Sequence, residues 1–216
     1  MTSLHMISSA IEAGDIEVGI AGGVEDMFTI PQGGFAPDFN VKLAEQDYYI
    51  SMGEGAELLA DELNISRGEQ EEFSFSSHEK AVAAREAGKF DNEIVPITLE
   101  DGTIINQDSG PRNPDKEKIK SLNPAFRADG TVTAATSSPF SIGASAMLIT
   151  SENFANKHGL KIRAFIEGRA VAGVNWKMFG SGPVPATKKA LEKTGLSIDD
   201  IDALELNEAF AAQALY

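Results

Sequence analysis

The chain contains no cysteine among its 216 residues. This absence excludes disulfide bonds, thiolate metal sites and a cysteine nucleophile within these residues. Histidine is also scarce, and His5, His78 and His158 lie too far apart in the sequence to pair at the spacing of metal ligands. We therefore expect no metal site, with His5 on a packed helix and the other two histidines on helix surfaces.

Positive charge is scarce as well, because 18 lysines and arginines stand against 33 aspartates and glutamates, for a formal net charge of −15. Nucleic acids and anionic membranes bind basic surfaces, so we expect neither as a partner. No apolar run approaches the roughly 18 residues of a membrane-spanning helix. No basic segment followed by an apolar one indicates a signal peptide. The sequence therefore favours a cytoplasmic protein.

One locally basic stretch stands out at residues 116–120, with Arg112 and Arg127 nearby in the sequence. It has two interpretations, a solvated charged loop or a binding site for a phosphorylated ligand, since such a ligand needs local positive potential. The residues leave both interpretations open.

Hydrophobic periodicity predicts a mixed α/β chain. Residues 4–13 have helical spacing and end at Gly14, and Ser66 begins a Ser-x-x-Glu capping box for a helix that runs to residue 87 and stops at Gly88. Pro183 lies in the first turn of another helix, which ends near Gly195. Further helices are predicted at 53–63, at 151–159 and after residue 207. Strands are predicted at 16–21, 94–99, 143–150, 162–172 and 201–206, of which 143–150 reads as buried.

Two segments lack a clear period and are rich in glycine, proline or charge, namely residues 28–50 and 100–130. We expect them to be mostly irregular, and residues 131–136 to be extended. Strands alternate with helices on both sides of this middle region. The pattern therefore predicts an α/β domain with an insertion at about residues 30–140.

Several small or polar motifs adjoin these elements. Gly22 and Gly23 follow the first predicted strand, where a turn is the simplest interpretation. Ser138 precedes the strand at 143–150 and either faces a ligand or caps a turn. No Gly-x-Ser-x-Gly sequence surrounds it, so we do not expect it to be a nucleophile. Residues 180–186 lead into a helix whose first amides either receive an anion or simply begin a helix at a proline.

The most informative motif lies at residues 207–213, which read Asn-Glu-Ala-Phe-Ala-Ala-Gln. It follows a predicted strand and begins a helix. An asparagine at the carboxyl end of a strand is well placed to hold a water molecule or an oxyanion.

Together these motifs resemble the thiolase family, the acyl-CoA C-acyltransferases. Residues 21–27 match the family's Ala-Gly-Gly-x-Glu-x-Met run, and residues 130–138 match its Gly-Thr-Val-Thr-Ala-x-x-x-Ser run. Residues 180–186 match Gly-x-Gly-Pro-x-Pro-Ala, and residues 207–210 match the Asn-Glu-Ala-Phe signature. The order and spacing agree along essentially the whole chain.

The resemblance implies a mechanism. A thiolate attacks a 3-ketoacyl-CoA, acetyl-CoA leaves, and a second CoA takes the acyl group, or the reaction runs in reverse as a Claisen condensation. The resemblance places the nucleophilic cysteine just before Met1, and the Gly-His-Pro histidine and a second catalytic cysteine past Tyr216. Asn207 is then the one catalytic residue present, holding a water that stabilises the enolate oxygen. Related ketoacyl synthases usually carry histidine at this position, so Asn207 favours a thiolase.

The resemblance also implies a binding site for coenzyme A, which is a substrate here, so no cofactor is expected. Ser138 corresponds to a serine at the pantetheine arm, and Arg112 corresponds to an arginine near the CoA nucleotide. Ser51 stands where biosynthetic members often have histidine, which favours a degradative role in fatty acid β-oxidation. The implied binding residues are Ser138, Arg112, Ala134, Phe210, Met52 and Phe179.

For the fold, the resemblance implies a layered α/β/α/β/α arrangement with an inserted loop domain, incomplete at both ends. Residues 1–29 would be the remainder of the N-terminal half, and 30–140 the loop domain. Residues 141–161 would be the last strand and helix of that half, and 162–216 part of the C-terminal half. The full-length protein is expected to be a homodimer or homotetramer.

Two functions remain after these observations. The first is a thiolase segment that binds acyl-CoA and CoA but is inactive by itself, because it lacks cysteine. The second is a non-catalytic acyl-CoA or lipid-binding module, or an interaction module.

Overall fold

The computed structural model describes residues 1–29 and 38–216, so part of the irregular segment predicted at 28–50 lies outside the described residues. The chain divides into two units. Unit 1 comprises Met1–Asn40, Phe140–Gly173 and Gly182–Ala203. Unit 2 comprises Val41–Pro139, Val174–Ser181 and Leu204–Tyr216. The domain boundaries implied by the family resemblance stay a prediction.

Helices and strands alternate irregularly along the described residues. The helices are α1 Thr2–Ala13, α2 Val41–Ala44, α3 Met52–Leu63, α4 Arg67–Glu86, α5 Lys116–Lys120, α6 Glu152–Lys157, α7 Pro183–Thr194 and α8 Ala211–Leu215. The strands are β1 Val18–Asp26, β2 Ile97–Thr98, β3 Ile104–Ile105 and β4 Ile142–Thr150. Short 3₁₀ turns lie at Ala134–Thr136, Trp176–Ser181 and Ile198–Asp200.

Unit 1 contains an antiparallel pair of strands, β1 and β4, whose register runs from Val18 opposite Thr150 to Asp26 opposite Ile142. Helix α1 packs on one face, where Gly19 lies so close to the Ile7 side chain that a methyl group would approach it to 2.9 Å. The opposite face carries Ile20 and Leu148, which are 70% and 57% exposed. The predicted strand at 143–150 is therefore confirmed, but its predicted burial is wrong, because the described residues cover only one face.

The turn predicted at Gly22 and Gly23 is also wrong, because both residues lie inside β1 and pair with β4. At Gly22 a methyl group would lie 3.2 Å from the carbonyl oxygen of Ser145. A glycine in a strand often indicates such a close backbone approach. The small residue here accommodates the neighbouring strand and does not turn the chain.

Unit 2 is built on α3 and α4, and each of these helices begins at a capping box. Ser66 accepts a hydrogen bond from the Glu69 amide, and the Glu69 carboxylate accepts one from the Ser66 amide, as predicted. Ser51 and Glu54 make the same reciprocal pair at α3, which repeats the Ser-x-x-Glu pattern. Helix caps depend on neighbouring residues, so both starts are encoded locally.

Several predicted strands are wrong. No described strand pairs with residues 162–172 or 201–206, which belong to no sheet, and the strand predicted at 94–99 shrinks to Ile97–Thr98. Strand formation requires a neighbour that bonds the backbone N–H and C=O groups, and apolar composition alone does not supply it. The region predicted as irregular contains α5, which the Asp115 side chain caps. Residues 131–136, predicted as extended, include a 3₁₀ turn.

The Ser66 cap gives a first test of this fold. The substitution Ser66→Ala removes the acceptor for the Glu69 amide, which costs about 1 kcal/mol, and therefore speeds exchange of the amides in the first turn of α4 about fivefold. Hydrogen–deuterium exchange measures this effect in the full chain. Ser109→Ala, at an exposed position outside the helices, is the control. Equal exchange in the two variants would contradict the role of the cap.

Candidate functional site

The candidate site is a pocket of about 540 Å³ within unit 2. Three segments form its walls: α4, residues 135–139 and residues 205–208. Ser138 and Asn207, both predicted as site residues, line this one pocket. The remaining lining residues are Phe73, Ser74, Ser77, His78, Ala81, Pro111, Ala135, Thr136, Ser137, Pro139, Glu205, Leu206, Glu208 and Ala211.

Two of the sequence motifs meet at this pocket. We call residues 130–138 the serine loop and residues 207–210 the asparagine segment. The Ser138 amide donates a hydrogen bond of 2.9 Å to the carbonyl oxygen of Ala209. Ser137 and Phe210 form an isolated antiparallel bridge at the same place. Backbone hydrogen bonds therefore fix where Ser138 lies relative to Asn207.

Helix α4 holds both motifs with one row of polar side chains. The Gln70 amide donates to the Thr131 hydroxyl at 2.9 Å, at the start of the serine loop. One turn further along, the Ser74 hydroxyl donates to the carbonyl oxygen of Ala135 at 2.5 Å. Positions 70, 74 and 77 share one side of a helix because they are four and three residues apart.

The last member of that row is Ser77, whose hydroxyl donates to the Glu208 carboxylate at 2.6 Å. Glu208 directly follows Asn207 in the asparagine segment. The side chains of α4 therefore contact the serine loop and the asparagine segment from a single rigid element.

The pocket contains one titratable imidazole, that of His78. Burial lowers the pKa of His78, the positive charge of Arg112 lowers it further, and the negative charge of Glu208 acts in the opposite direction. His78 was expected on a helix surface, and the structure corrects this, because the side chain is half-buried and lines the pocket. Arg112 itself is exposed and follows Pro111, whose carbonyl oxygen accepts a 2.9 Å hydrogen bond from Arg85.

Two of the predicted binding residues, Phe210 and Phe179, lie around the first turns of α3. The rings of Phe210 and Phe126 form an edge-to-face pair with centroids 5.9 Å apart. The Phe126 ring lies against Gly53, where a methyl group would come within 2.2 Å of it. Phe179 lies equally close to Gly55, so the two glycines make room on α3 for two aromatic rings.

The remaining predicted residues lie at exposed positions. Met52 is the first residue of α3 and is 60% exposed, while Ala134 begins the 3₁₀ turn of the serine loop. Neither residue is part of the pocket lining in the described part of the chain. The structure therefore brings Ser138 and Asn207 together and places Phe210 and Phe179 beside α3.

Sequence reasoning missed the residues that hold the two motifs in place: Glu57, Gln70, Ser74, Ser77, His78 and Glu208. The signal available was the polar spacing in α4, where Gln70, Ser74 and Ser77 recur at helical intervals. That pattern indicates a shared face but gives no partner.

No group of three or more potential metal ligands occurs in the ranges 1–29 and 38–216. Within the same ranges, no helix is both long enough and apolar enough to cross a membrane.

The electrostatics of the pocket are testable at His78. Because a nearby cation disfavours protonation, Arg112→Ala raises the pKa of the imidazole, and Glu208→Gln lowers it by removing a favourable anion. An NMR titration of the His78 ring measures both shifts. Lys89→Ala, which removes a cation just beyond α4, is the control and leaves the titration unchanged. An unchanged titration in Arg112→Ala would show that the two groups are not coupled.

Comparison with known proteins identifies relatives along the whole chain. Residues 1–153 match the family model for the thiolase N-terminal domain, and residues 160–216 match the model for the thiolase C-terminal domain. The chain is 47% identical over 223 residues to the 3-ketoacyl-CoA thiolase of Aliivibrio fischeri and 44% identical to that of Vibrio cholerae. In both cases the alignment covers 100% of this chain but only 57% of the relative.

Solved structures give the same result. The acetyl-CoA acetyltransferase of Bacillus anthracis superposes with a TM-score of 0.84 at 39% identity, over 100% of this chain and 59% of that one. The dimeric peroxisomal thiolase of Saccharomyces cerevisiae superposes with a TM-score of 0.87 at 38% identity, over 100% of this chain and 57% of that one.

Proposed function

The chain belongs to the thiolase family and has its α/β fold, and we propose that it is part of an acyl-CoA C-acyltransferase. The proposed reaction is thiolysis of a 3-ketoacyl-CoA to acetyl-CoA and a shortened acyl-CoA, or the reverse Claisen condensation. The observation that carries the proposal is that Ser138 and Asn207 line the same pocket. Relatives named 3-ketoacyl-CoA thiolase support the same reaction.

Asn207 carries the catalytic role in this proposal. Its side-chain amide holds a water molecule that donates a hydrogen bond to the enolate oxygen as negative charge develops there. A fixed donor of this kind contributes roughly 10²–10³ in rate, because the site pays no reorganisation cost during the reaction. The hydrogen bond from Ser77 of α4 to Glu208 supports this role, since it holds the residue next to Asn207.

The binding residues divide by chemistry. Ser138, in the same loop as Ala134, offers a hydroxyl to the pantetheine arm. Arg112 offers a cation to the phosphates of the CoA nucleotide. Apolar side chains contact the acyl group and the pantetheine methylenes: Met52, Phe179 and Phe210. Coenzyme A is a substrate in this scheme, and no cofactor or metal takes part.

The biological setting is part of the same proposal. The serine at position 51 favours a degradative enzyme of fatty acid β-oxidation, and the name 3-ketoacyl-CoA thiolase of the bacterial relatives agrees with this role. The proposed location is the cytoplasm. The yeast structure is described as dimeric, which supports a homodimer or homotetramer for the complete enzyme.

The covalent step of the proposed reaction requires a cysteine, which is absent from these residues. Thiolysis requires a thiolate, and these 216 residues contain no cysteine. We therefore predict that the full chain by itself shows no CoA-dependent cleavage of acetoacetyl-CoA in a spectrophotometric assay, while the Aliivibrio fischeri relative does. Turnover by the chain above the buffer blank would contradict this scheme.

A chimera tests the proposed function directly. In it, these residues replace the matched 57% of the Aliivibrio fischeri thiolase. We predict that the chimera catalyses thiolysis and that Asn207→Ala lowers kcat roughly 10²–10³-fold. Asn156→Ala, at an exposed position in α6, is the matched control and retains activity. An inactive but folded chimera, together with CoA binding by the chain, would favour a non-catalytic acyl-CoA-binding module instead.

A further inference from the structure

Glu57 is a buried acid that the proposed mechanism does not use. It lies in α3 and is only 1% exposed. A buried carboxylate is costly unless hydrogen bonds satisfy its oxygens. Its oxygens accept the Thr131 amide at 2.8 and 3.1 Å, the Val132 amide at 3.0 Å and the Thr131 hydroxyl at 3.2 Å. All these donors belong to the serine loop.

Gly130, the first residue of the serine loop, leaves room for this carboxylate because it has no side chain. A methyl group at Gly130 would lie 2.0 Å from an oxygen of Glu57 and 2.6 Å from its carboxyl carbon. Those distances are far inside van der Waals contact, so glycine lets the backbone approach the acid. The glycine of the Gly-Thr-Val-Thr motif therefore has a specific partner in α3.

A cation compensates the buried charge. The Arg127 guanidinium lies 3.9 Å from a Glu57 oxygen, and it also donates to the Asp61 carboxylate at 2.7 and 3.1 Å. Asp61 is thus a second acid of the same ion cluster, one helical turn from Glu57 on α3. It is anchored to Arg127, whereas Glu57 is anchored to the serine loop.

A short run of hydrogen bonds connects this anchor to the far end of the loop. The Thr133 amide donates to the Thr136 hydroxyl at 2.9 Å, and the Ser137 hydroxyl donates to the carbonyl oxygen of Thr133 at 2.8 Å. Val132 and Thr133 are fully buried. The loop then ends at the bond from Ser138 to Ala209. Hydrogen bonds and buried side chains therefore connect the residues held by Glu57 to Ser138.

We propose that Glu57 is a positioning residue for the CoA site: its carboxylate fixes the serine loop, and through it sets where Ser138 lies beside the asparagine segment. This role rests on the proposed function for its effect on CoA, while the effect on the loop does not depend on any activity. Glu57 acts through the loop and touches no reacting atom.

The test compares Glu57→Gln with Asp61→Asn. Glutamine keeps the size of the side chain but turns an –NH₂ group toward the N–H donors of the loop, so at least one hydrogen bond to a charged oxygen is lost. Losing such a bond changes the equilibrium between the closed and the open loop about tenfold or more. In the full chain, the rate of deuterium exchange in the peptide 131–138 is expected to rise at least about tenfold for Glu57→Gln. The same rate is expected to stay unchanged for Asp61→Asn. This readout is independent of catalysis.

The chimera supplies the functional readout. Glu57→Gln is expected to raise the KM for CoA about tenfold with little change in kcat, whereas Asp61→Asn leaves both unchanged and lowers only thermal stability. Gly130→Ala, which pushes a methyl group into the carboxylate, is expected to reproduce the higher KM and covers the case in which Glu57→Gln does not fold. Unchanged uptake of the peptide 131–138 in folded Glu57 and Gly130 variants, or parallel stability losses in the two acid variants with no change in KM, would overturn the proposal.

Discussion

The hydrogen bond from the Ser138 amide to the Ala209 carbonyl is the interaction on which the candidate site depends. It joins two segments that lie far apart in the sequence, and both are needed to line the pocket. Side-chain hydrogen bonds add to it, because Ser77 of α4 bonds Glu208 in the asparagine segment and Glu57 bonds Thr131 in the serine loop. The site is thus a backbone junction between two loops, held by the side chains of two capped helices.

Local features of the fold were predictable from the sequence. The capping box at Ser66, the helix stops at Gly14 and Gly195, and the proline start at Pro183 all occur as predicted. Each depends on residues within one helical turn, so a single sequence carries the information. The family resemblance was also correct, because the order of four separate motifs along the chain is far more specific than any one of them.

Features that need a distant partner were not predictable. Residues 162–172 and 201–206 have the composition of strands, but pairing is a property of the neighbour, and no described strand provides it. Gly22 read as a turn because its close approach to Ser145 is invisible in the sequence. The same limit applied to the site. Asn207 and Ser138 were found by their motifs, whereas Glu57 reaches its partner across more than seventy positions of the chain.

We propose that the serine loop and the asparagine segment form one binding site for coenzyme A. This is measured by an NMR titration of the isotopically labelled full chain with CoA, which requires no turnover. We expect the signals of the Ser138 backbone amide and the Asn207 side-chain amide to shift together, with the same dissociation constant. Saturable shifts confined to other parts of the chain, with both of these amides unmoved, would contradict it.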